Sequence, residues 1–437
     1  MESLIYFLPL IMFGVLAVVL FTGYPVAFIL GGVALLFAVL GDWAGVFRLD
    51  QIQLVPLRIY GGTMASLVLV AIPMFTFMGT MLEKSGVASD LLEALQVLLR
   101  RVPGGLALSV TLMGTIMAAT TGIIGASVVM MTLMALPVMI KAKYSIPLAT
   151  GTIAASGTLG ILIPPSVVMV VYAYITETDV GKLFIAGIVP GLLAIAMYMA
   201  ALLIGHRKSL PAGTPFSLVE AMRSLAGIWA VVLLFVMVIG SIYWGVATPT
   251  EASAIGATLT MVVGIVRGRL NFRQIVDSLT EALRTSVSVY TVLIGAMLFG
   301  YFLAITQSPQ KLTSWLVALD FGPMGTLALI LLVFIIAGCI LDSMAMIILM
   351  VPIVYPVIVH LGFDPIWFGI IIVMTAELGL ITPPVGINVY VINMIAKEVK
   401  LPVIFRGVLP FIAADVLRLA ILVAYPAIVL WLPRTMG

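Results

Sequence analysis

The sequence predicts an all-α polytopic membrane protein made of two inverted repeats, each with a re-entrant helical hairpin. Of its 437 residues, 63% are hydrophobic and only 9% are charged, whereas soluble domains carry about 25% charged residues. The apolar segments 160–166 and 379–385 each contain a Pro-Pro pair. The glycines and prolines around these pairs recur at a constant spacing, which indicates two copies of one structural unit.

Composition excludes several classes of protein. A chain so poor in charge cannot cover itself with a hydrated surface, and at about 20 residues a span it holds roughly a dozen spans in a lipid bilayer. The net charge of +3 suits basic cytoplasmic loops and does not indicate nucleic-acid binding. One cysteine, Cys339, excludes an internal disulfide and a multi-cysteine metal site. The first apolar stretch lacks a basic leader and a cleavage site, so we expect a span there and not a signal peptide.

The first half of the chain alternates apolar spans with amphipathic segments. Residues 50–60 are amphipathic, and in residues 89–101 leucines recur with a 3.6-residue period, so we expect both to lie along the membrane. Residues 146–166 are too short and too broken to span, and residues 167–175 return from them as the second arm of a hairpin. Spans are predicted at residues 5–21, 26–40, 64–82, 106–131 and 185–204.

The second half repeats this order after a linker rich in proline and glycine. Basic residues gather at 207–223 and 267–273, two spans apart, so the positive-inside rule places both loops in the cytoplasm. An amphipathic piece is predicted at residues 310–319, a broken segment at 366–384 and a final apolar stretch at 403–432. Spans are predicted at residues 227–243, 252–266, 286–305, 325–341 and 344–359.

An offset of 219 residues aligns the two halves. It brings Gly160 onto Gly379, and Pro164-Pro165 onto Pro383-Pro384. We count an odd number of crossings between equivalent points, which favours an inverted second repeat. The predicted organisation is repeat one at 1–205 with a hairpin around 146–175, a linker at 206–225, and repeat two at 226–437 with a hairpin around 366–396.

The hairpin tips are the candidate ion sites. Proline breaks the helical hydrogen-bond ladder, and broken backbone at membrane depth is tolerated only where it is buried in protein or lines a cavity. Its free carbonyls suit sodium; the alternative is that these residues only kink the helices. The first predicted sodium site has carbonyls of Gly160, Ile163 and Pro165 with hydroxyls of Thr120 and Thr121. The second has Gly379, Thr382 and Pro384, with Gly338 and Asp342 near the facing break.

Ser166 and Asn388 are the candidate substrate residues. Each sits just past a Pro-Pro pair, where a returning half-helix presents free N–H groups that bind anions. Either side chain could donate to a carboxylate, and helix capping is the alternative for both.

Three acids stand out at or near apolar segments. Intramembrane acids are functional candidates by default, so for Asp342 we favour a sodium or structural role over capping. Glu377 lies two residues before Gly379 and could face the same cavity. Glu251 ends a Thr-Pro-Thr-Glu turn, where Thr248 or Thr250 could cap the next helix with Glu251 in its first turn, and we favour this capping role for Glu251.

Over nearly its whole length, the chain resembles the large membrane subunit of tripartite ATP-independent periplasmic (TRAP) transporters. The resemblance is carried by Ala-Thr-Pro-Thr-Glu-Ala at 247–252, Gly-Thr-Leu-Gly-Ile-Leu-Ile-Pro-Pro-Ser at 157–166, and segments 183–191 and 379–386. The chain departs from the family pattern at Thr120, Thr121 and Ile123, where serines are usual. Similar sodium sites in the family match the hairpin positions given above.

The resemblance implies a transporter and not an enzyme. It implies sodium-driven secondary transport of a small organic acid across the bacterial or archaeal inner membrane, with no organic cofactor. It also implies an elevator movement of a transport domain against a scaffold, a small membrane subunit and a periplasmic substrate-binding protein. Segment 119–127 is similar to members associated with 2-oxo acids or related monocarboxylates.

Three other functions compete with this interpretation. A one-component elevator-type sodium/dicarboxylate symporter would share paired hairpins but need no binding protein. An ion channel should carry a filter of repeated carbonyls or rings of charge, and neither is visible in the sequence. An intramembrane enzyme would need a His pair, a Gly-x-Ser-x-Gly motif or paired aspartates at membrane depth, and the sequence shows none of these.

Overall fold

The computed structural model describes residues 2–121, 124–205, 211 and 218–436. Throughout this described part, the regular structure is helical and no strand occurs, so the all-α prediction is confirmed. The first half contains α1 (Glu2–Leu20), α2 (Val26–Trp43), α3 (Val55–Arg58), α4 (Ala71–Lys84), α5 (Val87–Leu99), α6 (Gly105–Thr121), α7 (Ile124–Lys141), α8 (Ile146–Ser156), α9 (Val167–Thr176) and α10 (Val180–Gly205). The second half contains α11 (Leu218–Tyr243), α12 (Pro249–Val266), α13 (Phe272–Ile305), α14 (Ser308–Ala318), α15 (Gly322–Gly338), α16 (Ser343–His360), α17 (Pro365–Gly379), α18 (Ile387–Ile395), α19 (Leu401–Ala424) and α20 (Ala427–Leu430).

Six of the described helices are long and apolar enough to cross a membrane, namely α2, α10, α12, α13, α16 and α19. Residues 49–64 and 68–84 pass the same test as a pair bent by 59°, which would make a seventh span. Several shorter apolar helices accompany them, including both arms of the first hairpin and the first arm of the second. This architecture is that of a multi-pass membrane protein.

The structure corrects two predicted elements and adds detail to a third. Residues 50–60, predicted to be amphipathic, form a 3-10 turn, α3 and a wide π turn in succession before the bend into α4. α13 begins at Phe272 and has 34 residues, well before the predicted start at 286, because Asn271 and Gln274 form a capping box that begins the helix there. The predicted last span, 403–432, ends at Ala424 and continues as a short separate helix.

Other predicted elements are confirmed or lie outside the described residues. The two short amphipathic helices are present as α5 and α14. The predicted linker at 206–225 falls largely on residues 206–210 and 212–217, which lie outside the described part of the chain, and its last residues belong to α11.

Both predicted hairpins are present as pairs of short helices. α8 and α9 have 11 and 10 residues, and α17 and α18 have 15 and 9, all fewer than the roughly 20 that a span requires. The turn of each hairpin holds a cis Pro-Pro bond, Pro164-Pro165 in the first and Pro383-Pro384 in the second. The breaks between short helices therefore occur where the proline pairs predict them, and that these segments are re-entrant stays a prediction.

The two hairpins exchange partners across the molecule. α6 packs against α8 and α15 packs against α17, whereas the return arm α9 packs against α16 and the return arm α18 packs against α7. Matching helices also keep the sequence offset: α7 and α16 end at Lys141 and His360, 219 residues apart, and α9 and α18 end at Thr176 and Ile395, again 219 apart. The two hairpins thus form one packed unit with α6, α7, α15 and α16.

Candidate ion and substrate site

Two helix C-termini meet at the tip of the second hairpin. α15 ends at Gly338 and α17 ends at Gly379, and their backbones are in direct contact. A Cβ atom added to Gly379 would lie 2.5 Å from the carbonyl carbon of Gly338 and 2.7 Å from its oxygen. Only glycine permits this approach, and it brings together the partial negative charges of two helix ends.

Several main-chain carbonyls at this tip are available to a ligand. The Gly379 carbonyl accepts from the Thr382 N–H at 3.2 Å, and the Thr382 hydroxyl donates to the Leu378 carbonyl at 2.6 Å. No described residue donates a hydrogen bond to the carbonyls of Gly338, Thr382 or Pro384. Because a carbonyl oxygen has two lone pairs, the Gly379 carbonyl also retains one. The predicted second sodium site therefore has free acceptors close to Gly338.

Asp342 caps the helix that follows the break. Its Oδ2 accepts from the Met344 N–H at 3.1 Å, at the N-terminus of α16. The sequence analysis ranked capping second for this acid, and the structure shows a capping contact. A role for Asp342 in binding sodium stays a prediction.

The first hairpin has the same arrangement of acceptors. After α8, a 3-10 turn at Leu159–Ile161 leads to the cis Pro-Pro bond, and α6 packs against this turn. The carbonyls of Gly160, Ile163 and Pro165 receive no hydrogen bond from the residues described. The hydroxyls of Thr120 and Thr121, predicted to complete this site, lie outside the described side chains, so their part in it stays a prediction.

The two tips differ in exposure. Pro164 and Pro165 of the first hairpin are buried, whereas Pro383 and Pro384 of the second hairpin are exposed. In this conformation the second tip is therefore the one that can be reached from outside the protein.

Ser166 acts as a helix cap. Its hydroxyl donates to the Ile161 carbonyl at 2.6 Å and accepts from the Met169 N–H at 3.4 Å, at the start of α9. A hydroxyl has one proton, and Ser166 uses it within the hairpin. This geometry favours the capping alternative over donation to a substrate carboxylate.

Asn388 joins the two hairpins. Its Nδ2 donates to the Ala154 carbonyl of α8 at 3.1 Å, although the residue itself lies in α18. Its Oδ1 is buried and has no hydrogen-bond partner among the described residues. Asn388 does not cap α18, so the capping alternative is wrong for this residue, and contact with substrate stays a prediction.

A buried cluster of charges lies beside the second site. Glu377, Asp415 and Arg418 are each at most 2% exposed. The Nη2 atom of Arg418 lies 2.7 Å from Glu377 Oε2 and 2.9 Å from Asp415 Oδ1. The Thr158 hydroxyl lies 3.1 Å from Glu377 Oε1 and 2.8 Å from the Ala155 carbonyl, so its one proton is shared between these two acceptors. The Tyr198 hydroxyl donates to Asp415 Oδ2 at 2.6 Å. The cluster therefore connects the first hairpin, the second hairpin, α10 and α19.

Sequence reasoning missed Arg418 and misplaced Glu377. The search for a charged group considered only the hairpins, and Arg418 lies outside them, on α19. The expectation that Glu377 could face an open cavity is wrong, because it is fully buried in an ion pair. A signal was available: Asp415 and Arg418 stand three residues apart in an apolar span, which places both on one helix face.

The capping prediction for Glu251 is confirmed. The Glu251 N–H donates to Thr248 Oγ1 at 3.3 Å, and the Thr248 N–H donates to Glu251 Oε2 at 2.8 Å. This reciprocal pair is a capping box at the start of α12.

The fold is that of known membrane transporters. The YdaH transporter of Alcanivorax borkumensis matches with a TM-score of 0.63 over 88% of this chain and 91% of its own, at 16% identity. MtrF of Neisseria gonorrhoeae matches with a TM-score of 0.57 over 89% of this chain and 85% of its own, also at 16% identity. Identities this low show the fold alone. Spans and fold together define a multi-pass membrane protein.

The family follows from sequence comparison. Residues 13–428 match the model of the tripartite ATP-independent periplasmic transporter, DctM component, and the chain belongs to this family. A Pseudomonas aeruginosa relative, named C4-dicarboxylate TRAP transporter large permease protein DctM, is 36% identical over 90% of this chain and 92% of its own. The Rhodobacter capsulatus protein of the same name is 32% identical over 98% and 99%. The resemblance to the large membrane subunit of TRAP transporters is confirmed, and such permeases are not enzymes.

Proposed function

We propose that this chain carries a small organic acid across the inner membrane as the large subunit of a binding-protein-dependent TRAP system, with transport coupled to sodium. The observation that supports sodium coupling best is the contact of two helix C-termini at Gly338 and Gly379, beside unbonded carbonyls of the second tip. Helix C-termini carry partial negative charge, and unwound carbonyls coordinate sodium in other transporters. The first hairpin offers a second set of free carbonyls and is the proposed partner site.

The substrate class follows from the relatives and is narrowed by the sequence. Relatives are named as permeases for C4-dicarboxylates, for sialic acid in Vibrio cholerae, and for 2,3-diketo-L-gulonate in Escherichia coli. A carboxylate is the chemistry that these substrates share. Segment 119–127 favours a 2-oxo acid or related monocarboxylate within this class.

The proposed partners are a small membrane subunit and a periplasmic substrate-binding protein. The Oleidesulfovibrio alaskensis relative, named isethionate TRAP transporter permease protein DctMQ, is longer than this chain, which covers 65% of it. We propose that a separate small subunit takes the place of the additional residues of that longer relative. Membership of a tripartite family also disfavours the one-component symporter.

The proposed mechanism is an elevator movement of one unit against another. The moving unit would contain both hairpins, the helices α6, α7, α15 and α16 that pack against them, and the helices α10 and α19. The scaffold would contain the pairs α2–α13 and α4–α12, which pack closely with each other, and α1. The apolar side chains of α1 join those of α2 and α13 in a second core, which Leu349 and Ile353 of α16 also reach. The matching helix bounds support two repeats, which we propose to be inverted.

Uptake into proteoliposomes tests this function. Vesicles would hold this chain with its small subunit, and the binding protein would be added outside, loaded with a labelled C4-dicarboxylate or a labelled 2-oxo acid. We expect uptake only when the binding protein is present, with one acid class clearly preferred. Uptake at the same rate without binding protein would contradict the tripartite assignment and support a one-component symporter.

A further inference from the structure

We propose that Glu377 is a positioning residue for the second sodium site and that Arg418 and Thr158 hold it in place. This inference rests on the proposed sodium coupling. It concerns a residue that touches neither ion nor substrate and acts through the backbone at Gly379.

Glu377 occupies the last turn of α17, two residues before Gly379. Its side chain is 0% exposed, and each carboxylate oxygen has a different partner. Oε1 lies 3.1 Å from the Thr158 hydroxyl of the first hairpin, which shares its proton with the Ala155 carbonyl, and Oε2 lies 2.7 Å from Arg418 Nη2 on α19. The end of α17 is therefore fixed from two directions by residues distant in sequence.

The position of this helix end decides the position of the ion ligands. Gly379 contacts the Gly338 backbone without room for a side chain, so a small shift of α17 changes how the two sets of carbonyls face each other. Groups that orient metal ligands without touching the metal are worth about 10- to 100-fold in metal affinity. A carbonyl site depends on such support, because its ligands cannot adjust as side chains can.

Arg418 is itself held in place by the other members of the cluster, Asp415 and Tyr198. Asp415 Oδ1 lies 2.9 Å from Arg418 Nη2, and the Tyr198 hydroxyl of α10 donates to Asp415 Oδ2 at 2.6 Å. A buried ion pair contributes little net stability compared with apolar packing, and in some proteins such pairs fix the position of the groups around them. The chain of contacts from Tyr198 to Glu377 fits that role.

The test is the sodium dependence of uptake in Glu377→Gln and Thr158→Val. Glu377→Gln keeps the shape and removes the charge, and we expect it to raise the sodium concentration for half-maximal uptake about 10- to 100-fold. Thr158→Val keeps the shape of the side chain and removes the hydroxyl that Glu377 shares with the Ala155 carbonyl, so a rise of about 2- to 10-fold is expected. Substrate half-saturation at saturating sodium should change less than about twofold in both, since neither residue is proposed to touch substrate.

Glu281→Gln is the matched control. It removes a carboxylate that pairs with Lys84 at 3.2 Å on a partly exposed surface, and it should leave the sodium dependence unchanged. Sodium-induced thermal stabilisation of the purified variants reports sodium binding without transport, so a variant with little activity still gives a result.

The possible results distinguish failure of this inference from failure of the proposed sodium coupling. If neither the uptake rate nor the melting temperature of the wild type depends on sodium concentration, the proposed coupling is overturned, and this inference with it. If uptake by the wild type depends on sodium, but the sodium concentration for half-maximal uptake is unchanged in both Glu377→Gln and Thr158→Val, the positioning role alone is overturned. A shift in substrate half-saturation equal to the sodium shift would also overturn it.

Discussion

Arg418 offsets the charge of two buried carboxylates, Glu377 and Asp415. Replacing it by methionine would leave both carboxylates buried without a cation, and breaking a buried pair in this way costs about 3–5 kcal/mol. We expect Arg418→Met to lower the melting temperature of the purified protein strongly. The control is Arg406→Met on the same helix, where the side chain is exposed. Equal melting temperatures for the two variants would contradict the importance of the cluster.

Gly379 is the residue on which the second ion site depends most. A methyl group there would lie 2.5 Å from the Gly338 carbonyl carbon, so Gly379→Ala must push the two helix ends apart. We expect the sodium concentration for half-maximal uptake to rise at least about tenfold, because a displaced carbonyl set loses the geometry that the ion needs. Gly300→Ala is the control, since nothing lies within 4 Å of a Cβ at that glycine. Wild-type sodium dependence in Gly379→Ala would argue against an ion at this tip.

The first hairpin arm and α19 are held together by close glycine contact. A Cβ atom on Gly407 would overlap the Pro147 carbonyl, and one on Gly151 would overlap the Gly407 carbonyl. Small residues allow such close approach between membrane helices. Gly407→Ala should destabilise the protein by about 1–3 kcal/mol through overpacking, seen as a lower melting temperature. Gly14→Ala, with open space around it, should melt like the wild type; an equal loss in both variants would contradict this packing.

The turn before α12 is fixed by its capping box. Thr248→Ala removes the hydroxyl that accepts from the Glu251 N–H, and losing an N-cap side chain costs about 1 kcal/mol. A small drop in melting temperature is expected. Ser288→Ala, an exposed serine whose hydroxyl only donates to the Arg284 carbonyl within α13, should show no drop. A Thr248→Ala variant as stable as Ser288→Ala would show that the cap contributes nothing.

Local chemistry explains which parts of the fold could be predicted from the sequence. The hairpins were predictable because a Pro-Pro pair breaks a helix wherever it stands, and the capping role of Glu251 because its partner Thr248 is three residues away. The start of α13 had an equally local signal at Asn271 and Gln274, but the hydrophobic pattern that located the span does not extend to it.

Contacts between distant residues could not be predicted in the same way. Thr158 and Glu377 are 219 residues apart and meet through their side chains, which no spacing rule within one helix anticipates. Likewise, the exchange of partners between hairpins, with α9 on α16 and α18 on α7, depends on the packing of whole halves. The buried cluster and the link from Asn388 to Ala154 follow from that packing.

Taken as a whole molecule, the chain is proposed to couple a sodium gradient to acid transport through paired hairpin tips. The most direct test measures entry of radioactive sodium and labelled acid together, in proteoliposomes supplied with loaded binding protein. The account predicts sodium entry that requires the acid and acid uptake that collapses without the sodium gradient. At the sodium concentration that is half-saturating for the wild type, both should fall strongly in Gly379→Ala but not in Gly300→Ala. Acid uptake at full rate without a gradient, and without acid-dependent sodium entry, would contradict it.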